Sequence, residues 1–368
     1  MPDELISTMK AVVVRETGPA SSPQALHFES DYPTPILIEG HAIVQNEYSG
    51  INFIDTYFRQ GLYPKPVPFV CGQEGGGTIV SIMPTRSRSG VGEEEDMPFD
   101  EGGCEAESKS EFKVGDRVVY SCPGTYSEYT LVPIAKLIPV PVEIGMKTAL
   151  ACMVQGMTAH YLVNSAHANL IQEGEWCLIY SVGSGTCQWA AQMAKLNGYK
   201  VIGTCSKGKM VKAKETQCDE LIVLDEVEGQ GSYADYNSVD IVEKVMSITR
   251  GEGVKLILDG VGKSTAEISL QCLARRGIFV SFGNASGKVE PFPLLRLSKK
   301  SAFVTRPTLL DYVSTREELL GRINEIFKWV NEGKLDVCID MEFPLEKAAE
   351  AHHYVEAGKT KGKLLLKM

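Results

Sequence analysis

The second half of the chain alternates short apolar runs with amphipathic segments, and this pattern predicts strands and helices in turn. Trp176–Tyr180 (WCLIY) is a continuous apolar run typical of a buried strand, and the turn Ser181–Gly185 follows it. Apolar positions then recur at helical spacing over Thr186–Asn197, and Gly198 stands where that helix should end. Strands and helices continue to alternate as far as a sixth strand at Ala302–Thr305. The alternation predicts a doubly wound parallel sheet.

The regions on either side of this sheet have a different pattern. Strands such as Met9–Val14 and Ala42–Asn46 precede it and predict a mostly antiparallel β sheet. A chain of 368 residues is also too long for one ordinary core, so we expect an α/β protein with two domains. Residues 153–306 are predicted to form the parallel-sheet domain, and residues 1–152 and 307–368 together form the mostly antiparallel one.

Negative charge is concentrated in one segment. Nine acidic residues and one basic residue lie between Gly90 and Glu111, so this window holds −8 of the formal net charge of −10. The segment at about 84–111 has too few apolar residues to fold on its own, and it is predicted to be an acidic surface insertion. The rest of the chain is nearly neutral and has no basic stripe, so we expect no nucleic-acid partner.

The composition, with 43% hydrophobic and 23% charged residues, is that of a globular protein. No apolar run approaches the roughly 18–20 residues of a membrane helix, and Met1–Val14 lacks the features of a secretory signal. The ten cysteines are dispersed through apolar segments without a C-x-x-C pair, which indicates reduced core residues. We therefore expect a cytoplasmic protein with no membrane contact and no metal site.

Four segments are more specific than these general patterns. They are Gly50–Pro64 (GINFIDTYFRQGLYP), Cys71–Gly77 (CGQEGGG), Phe282–Gly287 (FGNASG) and Thr305–Leu319 (TRPTLLDYVSTREEL). These segments resemble parts of the cleft in the medium-chain dehydrogenase/reductase superfamily, in particular its zinc-free quinone oxidoreductase branch of the zeta-crystallin type. The resemblance implies a GroES-like catalytic domain into which a Rossmann nucleotide-binding domain is inserted.

The same resemblance bears on metal binding. In the alcohol dehydrogenases of this superfamily, a cysteine and a histidine in these segments bind catalytic zinc. Here Asn52 and Gln73 stand near those places, and an amide is a poor zinc ligand beside a thiolate or an imidazole. The resemblance and these two residues together imply a reductase without metal.

A dinucleotide needs a tight glycine turn after the first strand, so that its pyrophosphate can approach a helix N-terminus. Ser181–Gly185 occupies that place. No acidic residue follows the second strand until Glu215, and Lys209 falls where the family has its phosphate-binding lysine, which favours NADPH over NADH. The alternative for Lys209 is a solvated helix start, and Lys363 is expected to add a second positive charge. By this resemblance, the cofactor-binding residues are Asn52, Thr158, Gly183, Ser184, Gly185, Thr186, Ser206, Lys209, Phe282, Gly283, Asn284 and Lys363.

Hydride transfer to an electrophilic acceptor requires little from the protein beyond a dry cleft that holds the cofactor and the acceptor face to face. The resemblance offers Asn52, Tyr57, Tyr63 and Arg306 as residues that position the acceptor, with no essential acid or base. The alternatives are that both tyrosines are packing residues with wet hydroxyls and that Arg306 forms a surface salt bridge.

The function implied is NADPH-dependent reduction of small quinones without metal. One alternative is a zinc-free reductase of activated double bonds, such as alkenals or 2-enoyl thioesters, so the substrate is expected to be a small quinone or enone. Another is a crystallin-like or RNA-binding protein that holds a cofactor without catalysis, although the acidic balance opposes RNA binding. The family commonly dimerises through the last strands of its nucleotide-binding sheet, here Ile278–Ser281 and Phe303–Thr305, and a homodimer is expected.

Overall fold

The computed structural model describes residues 7–85, 111–229 and 233–368, so most of the predicted acidic insertion lies outside the described residues. The described strands are β1 Thr8–Val14, β2 His27–Pro33, β3 His41–Ile51, β4 Phe69–Val70, β5 Glu74–Met83, β6 Arg117–Ser121, β7 Tyr129–Pro133, β8 Ile138–Pro139, β9 Trp176–Ile179, β10 Lys200–Ser206, β11 Glu220–Leu224, β12 Val254–Asp259, β13 Leu273–Ser281, β14 Phe303–Thr305, β15 Ile339–Pro344 and β16 Lys363–Lys367. The described helices are α1 Phe53–Gln60, α2 Met146–Ala151, α3 Met157–Asn164, α4 Gly185–Leu196, α5 Met210–Glu215, α6 Ile241–Ile248, α7 Ala266–Cys272, α8 Arg316–Asn331 and α9 Ala348–Glu356.

The predicted doubly wound sheet is confirmed. Within the described residues it has six strands in the order β11-β10-β9-β12-β13-β14, and every neighbouring pair is parallel. The central strand β9 has β10 on one side and β12 on the other, so the strand order reverses there. In such sheets ligands bind outside the carboxyl ends of the strands at this reversal, which is where the turn Ser181–Gly185 lies.

A second sheet joins the two ends of the chain. Its order in the described part of the chain is β15-β16-β3-β5-β6-β8, with β7 also paired to β3, and only the β15–β16 pair is parallel. The last strand, β16, pairs with β3 so that Leu365 faces Gly50. A smaller sheet has the order β2-β1-β4. The expected fold class, a mostly antiparallel GroES-like part with a Rossmann sheet, is therefore confirmed.

The two large sheets share one apolar core. A single buried cluster includes Val119 and Ile138 of the antiparallel sheet together with Ile179 and Leu256 of the parallel sheet. Helices α2 and α3 lie between these regions and are joined by a π-helical turn, Cys152–Gly156. This connection brings the segment that contains Thr158 to the junction between the sheets. Across the described residues, no helix combines the length and apolar character needed to cross a membrane.

Candidate functional site

The glycine turn after β9 lies in close contact with the end of β10. A Cβ added to Gly183 would lie 2.7 Å from the Lys209 Cβ and 3.0 Å from the Lys209 carbonyl oxygen, so no larger residue fits there. Gly185 begins α4 with a φ of +28°, and a Cβ there would lie 3.1 Å from Gln155 Nε2. Glycines at these two positions therefore let the turn pack closely against Lys209 and Gln155 where α4 begins, and the N-terminus of a helix after such a turn suits a pyrophosphate. Thr186 lies in the first turn of the same helix.

Lys209 lies beside this turn and is only 8% exposed. Its ammonium group donates a hydrogen bond to Ser184 Oγ at 2.7 Å. Burial lowers the pKa of Lys209 to about 8. Nearby, Ser206 at the end of β10 has a buried hydroxyl with no hydrogen-bond partner among the described residues. A phosphate monoester carries the negative charge that would pair with the Lys209 ammonium. Its oxygens can accept hydrogen bonds from both Lys209 and the Ser206 hydroxyl, so these residues fit a 2′-phosphate.

Two acidic residues approach the same region from the end of β11. Asp225 forms an ion pair with Lys207, and Glu226 Oε1 accepts a hydrogen bond from Gly208 N at 3.1 Å. The sequence-based reasoning searched for an acid along the chain after β10 and missed these two. Their position depends on the strand register, because parallel pairing sets Ser206 beside Leu224 and so brings the residues after β11 next to Gly208. Lys209 is therefore not the only charged group at this site.

The loop Phe282–Gly287 after β13 is held rigidly against the turn after β12. A Cβ on Gly283 would lie 2.8 Å from Gly260 Cα, so these two backbone segments touch. The buried carboxylate of Asp259 accepts hydrogen bonds from Val261 N at 2.8 Å and Gly262 N at 3.0 Å, and it fixes the neighbouring turn. The described loop therefore presents its backbone at a defined position rather than as a free segment.

Tyr57 connects α1 to this loop. Its hydroxyl oxygen accepts a hydrogen bond from Asn284 N at 3.1 Å. Burial raises the pKa of Tyr57 above its ordinary value, so the phenol is protonated at neutral pH and its own hydrogen remains available to donate. Tyr63 packs edge-on against the Tyr57 ring, with 5.3 Å between ring centroids. The sequence-predicted pair is thus brought together, and Tyr57 combines packing with a polar contact.

Arg306 lies just beyond β14 and contacts the same loop. Its Nη1 donates a hydrogen bond to Ser281 O at 2.8 Å. In the amide orientation that satisfies both of its neighbours, Asn284 accepts a hydrogen bond from Arg306 Nη2 at 3.0 Å and donates one to Gly283 O at 3.1 Å. The surface salt bridge considered for Arg306 is not among the ion pairs of the described residues. Arg306 instead supports the loop on which Asn284 lies.

Asn52 precedes α1 and is 7% exposed. Its backbone N–H donates to Asp55 Oδ2 at 2.8 Å, and its Nδ2 donates to Glu74 Oε1 at 2.7 Å. Its Oδ1 accepts a hydrogen bond from Lys363 Nζ at 3.0 Å. Both polar atoms of the Asn52 side chain are therefore already engaged by charged groups within the protein.

Lys363, which is expected to add a second positive charge, is paired within the protein. Its side chain is fully buried, and its ammonium forms an ion pair with the equally buried carboxylate of Glu74. It also donates to Ile51 O at 3.3 Å. The reason is the pairing of β16 with β3, which directs Lys363 into the protein beside Asn52. A contact with the cofactor remains a prediction for Lys363.

Comparison with known proteins assigns these features to a family. The family described as alcohol dehydrogenase GroES-like domain matches residues 38–142, and that described as zinc-binding dehydrogenase matches residues 229–366. A probable quinone oxidoreductase of Schizosaccharomyces pombe is 33% identical over 96% of this chain and 96% of its own length. The chain belongs to the quinone oxidoreductase family. It is accordingly an oxidoreductase of the medium-chain dehydrogenase/reductase superfamily.

Further members of this superfamily match over similar lengths. The Escherichia coli quinone oxidoreductase, solved in complex with NADPH, is 32% identical with a TM-score of 0.82, covering 98% of this chain and 100% of its own. A 2-haloacrylate reductase of a Burkholderia species is 32% identical over 89% of this chain and 90% of its own length. Although one matching family is described as zinc-binding, the described residues contain no group of three or more His, Cys, Asp or Glu side chains that could hold a metal ion.

Proposed function

We propose that this oxidoreductase transfers reducing equivalents from NADPH to small quinones and does so without a metal ion. The observation that carries the proposal is the arrangement of Lys209, Ser184 and Ser206 beside a glycine turn, since a buried ammonium and an unpartnered hydroxyl can bind the oxygens of a 2′-phosphate. The Escherichia coli relative, whose structure was solved with NADPH, supports the same cofactor.

The metal-free part of the proposal rests on residue chemistry. Asn52 and Gln73 stand near the places where zinc enzymes of the superfamily use cysteine and histidine. Asn52 is moreover engaged by Glu74 and Lys363, and a buried ammonium next to the amide would repel a divalent cation. A measurement of bound zinc by atomic absorption, with activity before and after chelation, tests this point; stoichiometric zinc whose removal abolishes turnover would overturn it.

In the proposed mechanism the chain's own residues mainly bind and orient. NADPH, when bound, supplies the hydride. The loop at Gly283 and Asn284 and the side chains of Asn52 and Tyr57 form the polar wall against which a planar acceptor is held. Tyr57 has its hydrogen free to donate to an acceptor oxygen, since its own oxygen already accepts from Asn284 N. No residue is required as a general base, because the proton taken up by a reduced quinone can come from solvent.

We assign the remaining cofactor contacts on the same basis. The turn residues Gly183, Gly185 and Thr186 bind the pyrophosphate at the N-terminus of α4, and Thr158, Phe282 and Asn52 lie toward the nicotinamide. On this assignment residues 153–306 form the nucleotide-binding domain, and residues 1–152 and 307–368 the catalytic domain. A cytoplasmic location is also proposed.

A reductase of activated double bonds is the second candidate, and the match to a 2-haloacrylate reductase favours it specifically. The two activities separate in one steady-state assay of NADPH oxidation that compares 1,4-benzoquinone and 9,10-phenanthrenequinone with 2-chloroacrylate, a 2-alkenal and a 2-enoyl thioester. Higher kcat/KM for the quinones supports the first proposal, and higher kcat/KM for any of the alkenes supports the second. Absence of turnover with all five would favour the non-catalytic alternative.

We also propose a homodimer formed through β14. This edge strand is short, and its Phe303 and Val304 are 46% and 38% exposed. Leu294 and Leu295, just before it, are 78% and 79% exposed. Pairing two copies of this edge would cover unpaired backbone groups and these apolar side chains. Analytical ultracentrifugation of the wild type and of Val304→Lys tests it: a wild-type monomer would overturn the proposal.

A further inference from the structure

We infer that Glu74 and Lys363 form a positioning pair that fixes the amide of Asn52 in one orientation and so aligns the polar wall of the cleft. This inference rests on the function proposed above. It concerns two residues that are buried behind Asn52 and would not touch the acceptor themselves. Glu74 and Lys363 are both fully buried. They come from opposite ends of the chain, 289 residues apart, and meet because β16 pairs with β3.

The hydrogen bonds to Asn52 have only one consistent orientation. A carboxylate accepts hydrogen bonds and cannot donate them, whereas an ammonium donates and cannot accept. Glu74 therefore requires the Nδ2 of Asn52 on its side, and Lys363 requires the Oδ1, at 2.7 Å and 3.0 Å respectively. Rotating the amide by 180° would set Nδ2 against the ammonium and Oδ1 against the carboxylate. Since Nδ2 carries two hydrogens, one remains for a ligand, and its direction is fixed by the pair.

The same carboxylate also reaches the cofactor side of the cleft. Glu74 Oε2 accepts a hydrogen bond from Val154 N at 2.7 Å, within the π-helical turn Cys152–Gly156. The next residue, Gln155, packs its amide against Gly185 of the glycine turn. Wide helical turns of this kind are frequent at functional sites, where they redirect backbone groups. One buried carboxylate thus ties the acceptor wall at Asn52 to the segment that supports the cofactor turn.

The backbone is shaped to make room for this pair. Gly50 lies opposite Leu365 in the sheet, and a Cβ on Gly50 would lie 2.7 Å from Glu74 Cδ and 2.7 Å from Lys363 Cε. The first residue of the segment GINFID therefore has no side chain because the pair occupies that space. A pair needed only for general stability could be replaced by apolar side chains of similar volume, whereas orienting an amide needs both charges.

The test is a double-mutant cycle that separates positioning from structural support. The variant Glu74→Gln/Lys363→Met removes both charges together, so it avoids the unpaired buried charge that single substitutions would leave. It is compared with the wild type, with Asn52→Ala, and with the triple variant. A matched control is Lys147→Met/Glu342→Gln, which makes the same two changes in an exposed ion pair between α2 and β15.

If the pair acts through Asn52, the double variant lowers kcat/KM for the quinone at saturating NADPH by roughly 10- to 100-fold, as expected for a misaligned wall. In the Asn52→Ala background the same double change lowers it by less than about 2-fold. The control variant keeps the wild-type value. An equal fold-loss in both backgrounds, or no loss in a folded double variant, would overturn the inference.

The dissociation constant of NADPH provides a readout that does not depend on turnover. The double variant should raise it severalfold in the wild-type background. In the Asn52→Ala background it should change by less than about 2-fold, because the amide oxygen introduced by Glu74→Gln can still accept the hydrogen bond from Val154 N. If the wild type reduces no quinone, the proposed function fails while this binding cycle still decides the role of the pair. Equal fold-changes of this dissociation constant in the two backgrounds would also overturn the inference. Thermal unfolding of each apo variant verifies that the comparisons are made on folded protein.

Discussion

Two buried lysines lie on the two sides of the proposed cleft, Lys363 beside the proposed acceptor wall and Lys209 at the proposed cofactor site, and their surroundings differ. On the acceptor side, Lys363 is fully buried and donates to the Glu74 carboxylate, Asn52 Oδ1 and Ile51 O. On the cofactor side, Lys209 is 8% exposed, and among its described hydrogen bonds its ammonium donates to Ser184 Oγ. The first lysine is neutralised within the protein, and the second retains charge for an anion. The contrast supports the proposal that the acceptor wall is formed in advance whereas the cofactor site is completed by its ligand.

The largest expected effect is on the free energy of unfolding when the Lys363 ammonium is removed, compared with removal of the Lys209 ammonium. Lys363→Met alone leaves the Glu74 carboxylate buried without its partner, and it should lower the free energy of unfolding by about 3–5 kcal/mol. Lys209→Met loses one hydrogen bond but also removes a buried charge, so its free energy of unfolding should change by less than about 1 kcal/mol. Urea denaturation of both variants measures the difference. Equal losses of unfolding free energy in the two variants would contradict the distinction between a lysine paired within the protein and one left to pair with a ligand.

The second prediction concerns cofactor choice. Lys209→Met should raise the dissociation constant of NADPH by about 10- to 100-fold, since a hydrogen bond to a charged group contributes about 1.5–3 kcal/mol. The dissociation constant of NADH should change little, because NADH has no 2′-phosphate. Quenching of protein fluorescence during titration measures both values. A parallel weakening of both cofactors would mean that Lys209 supports the turn rather than the phosphate.

The pH dependence of NADPH binding follows from the lowered pKa of Lys209. At neutral pH most of the Lys209 side chain is charged. As the pH rises through about 8 the charge is lost and the affinity for NADPH falls. At one pH unit above this value the dissociation constant should rise by about tenfold, and binding should take up protons because the phosphate favours the charged lysine. Calorimetry in buffers of different ionisation enthalpy measures the uptake. Lys209→Met is the control and should show neither effect.

The smallest effect is expected on the preformed wall. Tyr57→Phe removes the hydroxyl that accepts from Asn284 N, and it should lower kcat by about 2- to 10-fold, in line with one hydrogen bond of about 0.5–1.5 kcal/mol. The pH profile of kcat should keep its shape. A fall in kcat of about a thousandfold would instead identify Tyr57 as an essential proton donor, and the wall would then take part in the chemical step.

The same contrast explains which parts could be predicted from the sequence. The glycine turn and the order of elements in the parallel sheet were predictable, because strand, turn and helix signals are local. Glu226 was missed because its position beside Gly208 depends on the parallel register of β10 and β11. The Glu226 carboxylate also works against the preference for NADPH that Lys209 favours, since a carboxylate at this place repels a 2′-phosphate.

The Glu74–Lys363 pair could not be predicted from the sequence. Its two residues are 289 positions apart, and Lys363 precedes three leucines in a strand, where a lysine usually faces solvent. Only the pairing of β16 with β3 brings its ammonium to Asn52. Pairwise contacts that depend on tertiary register leave no periodic signal in a single chain, so the sequence predicts a second positive charge at Lys363 but not its pairing with Glu74.

The central claim is that Lys209 selects the cofactor while the wall only positions the acceptor. The most direct test measures kcat and kcat/KM for NADPH and for NADH at saturating quinone, in the wild type and in Lys209→Met. The account predicts a strong preference for NADPH in the wild type, a ratio near one in the variant, and a kcat in the variant close to that of the wild type. Equal use of the two cofactors by the wild type, or a kcat that falls together with the preference, would contradict it.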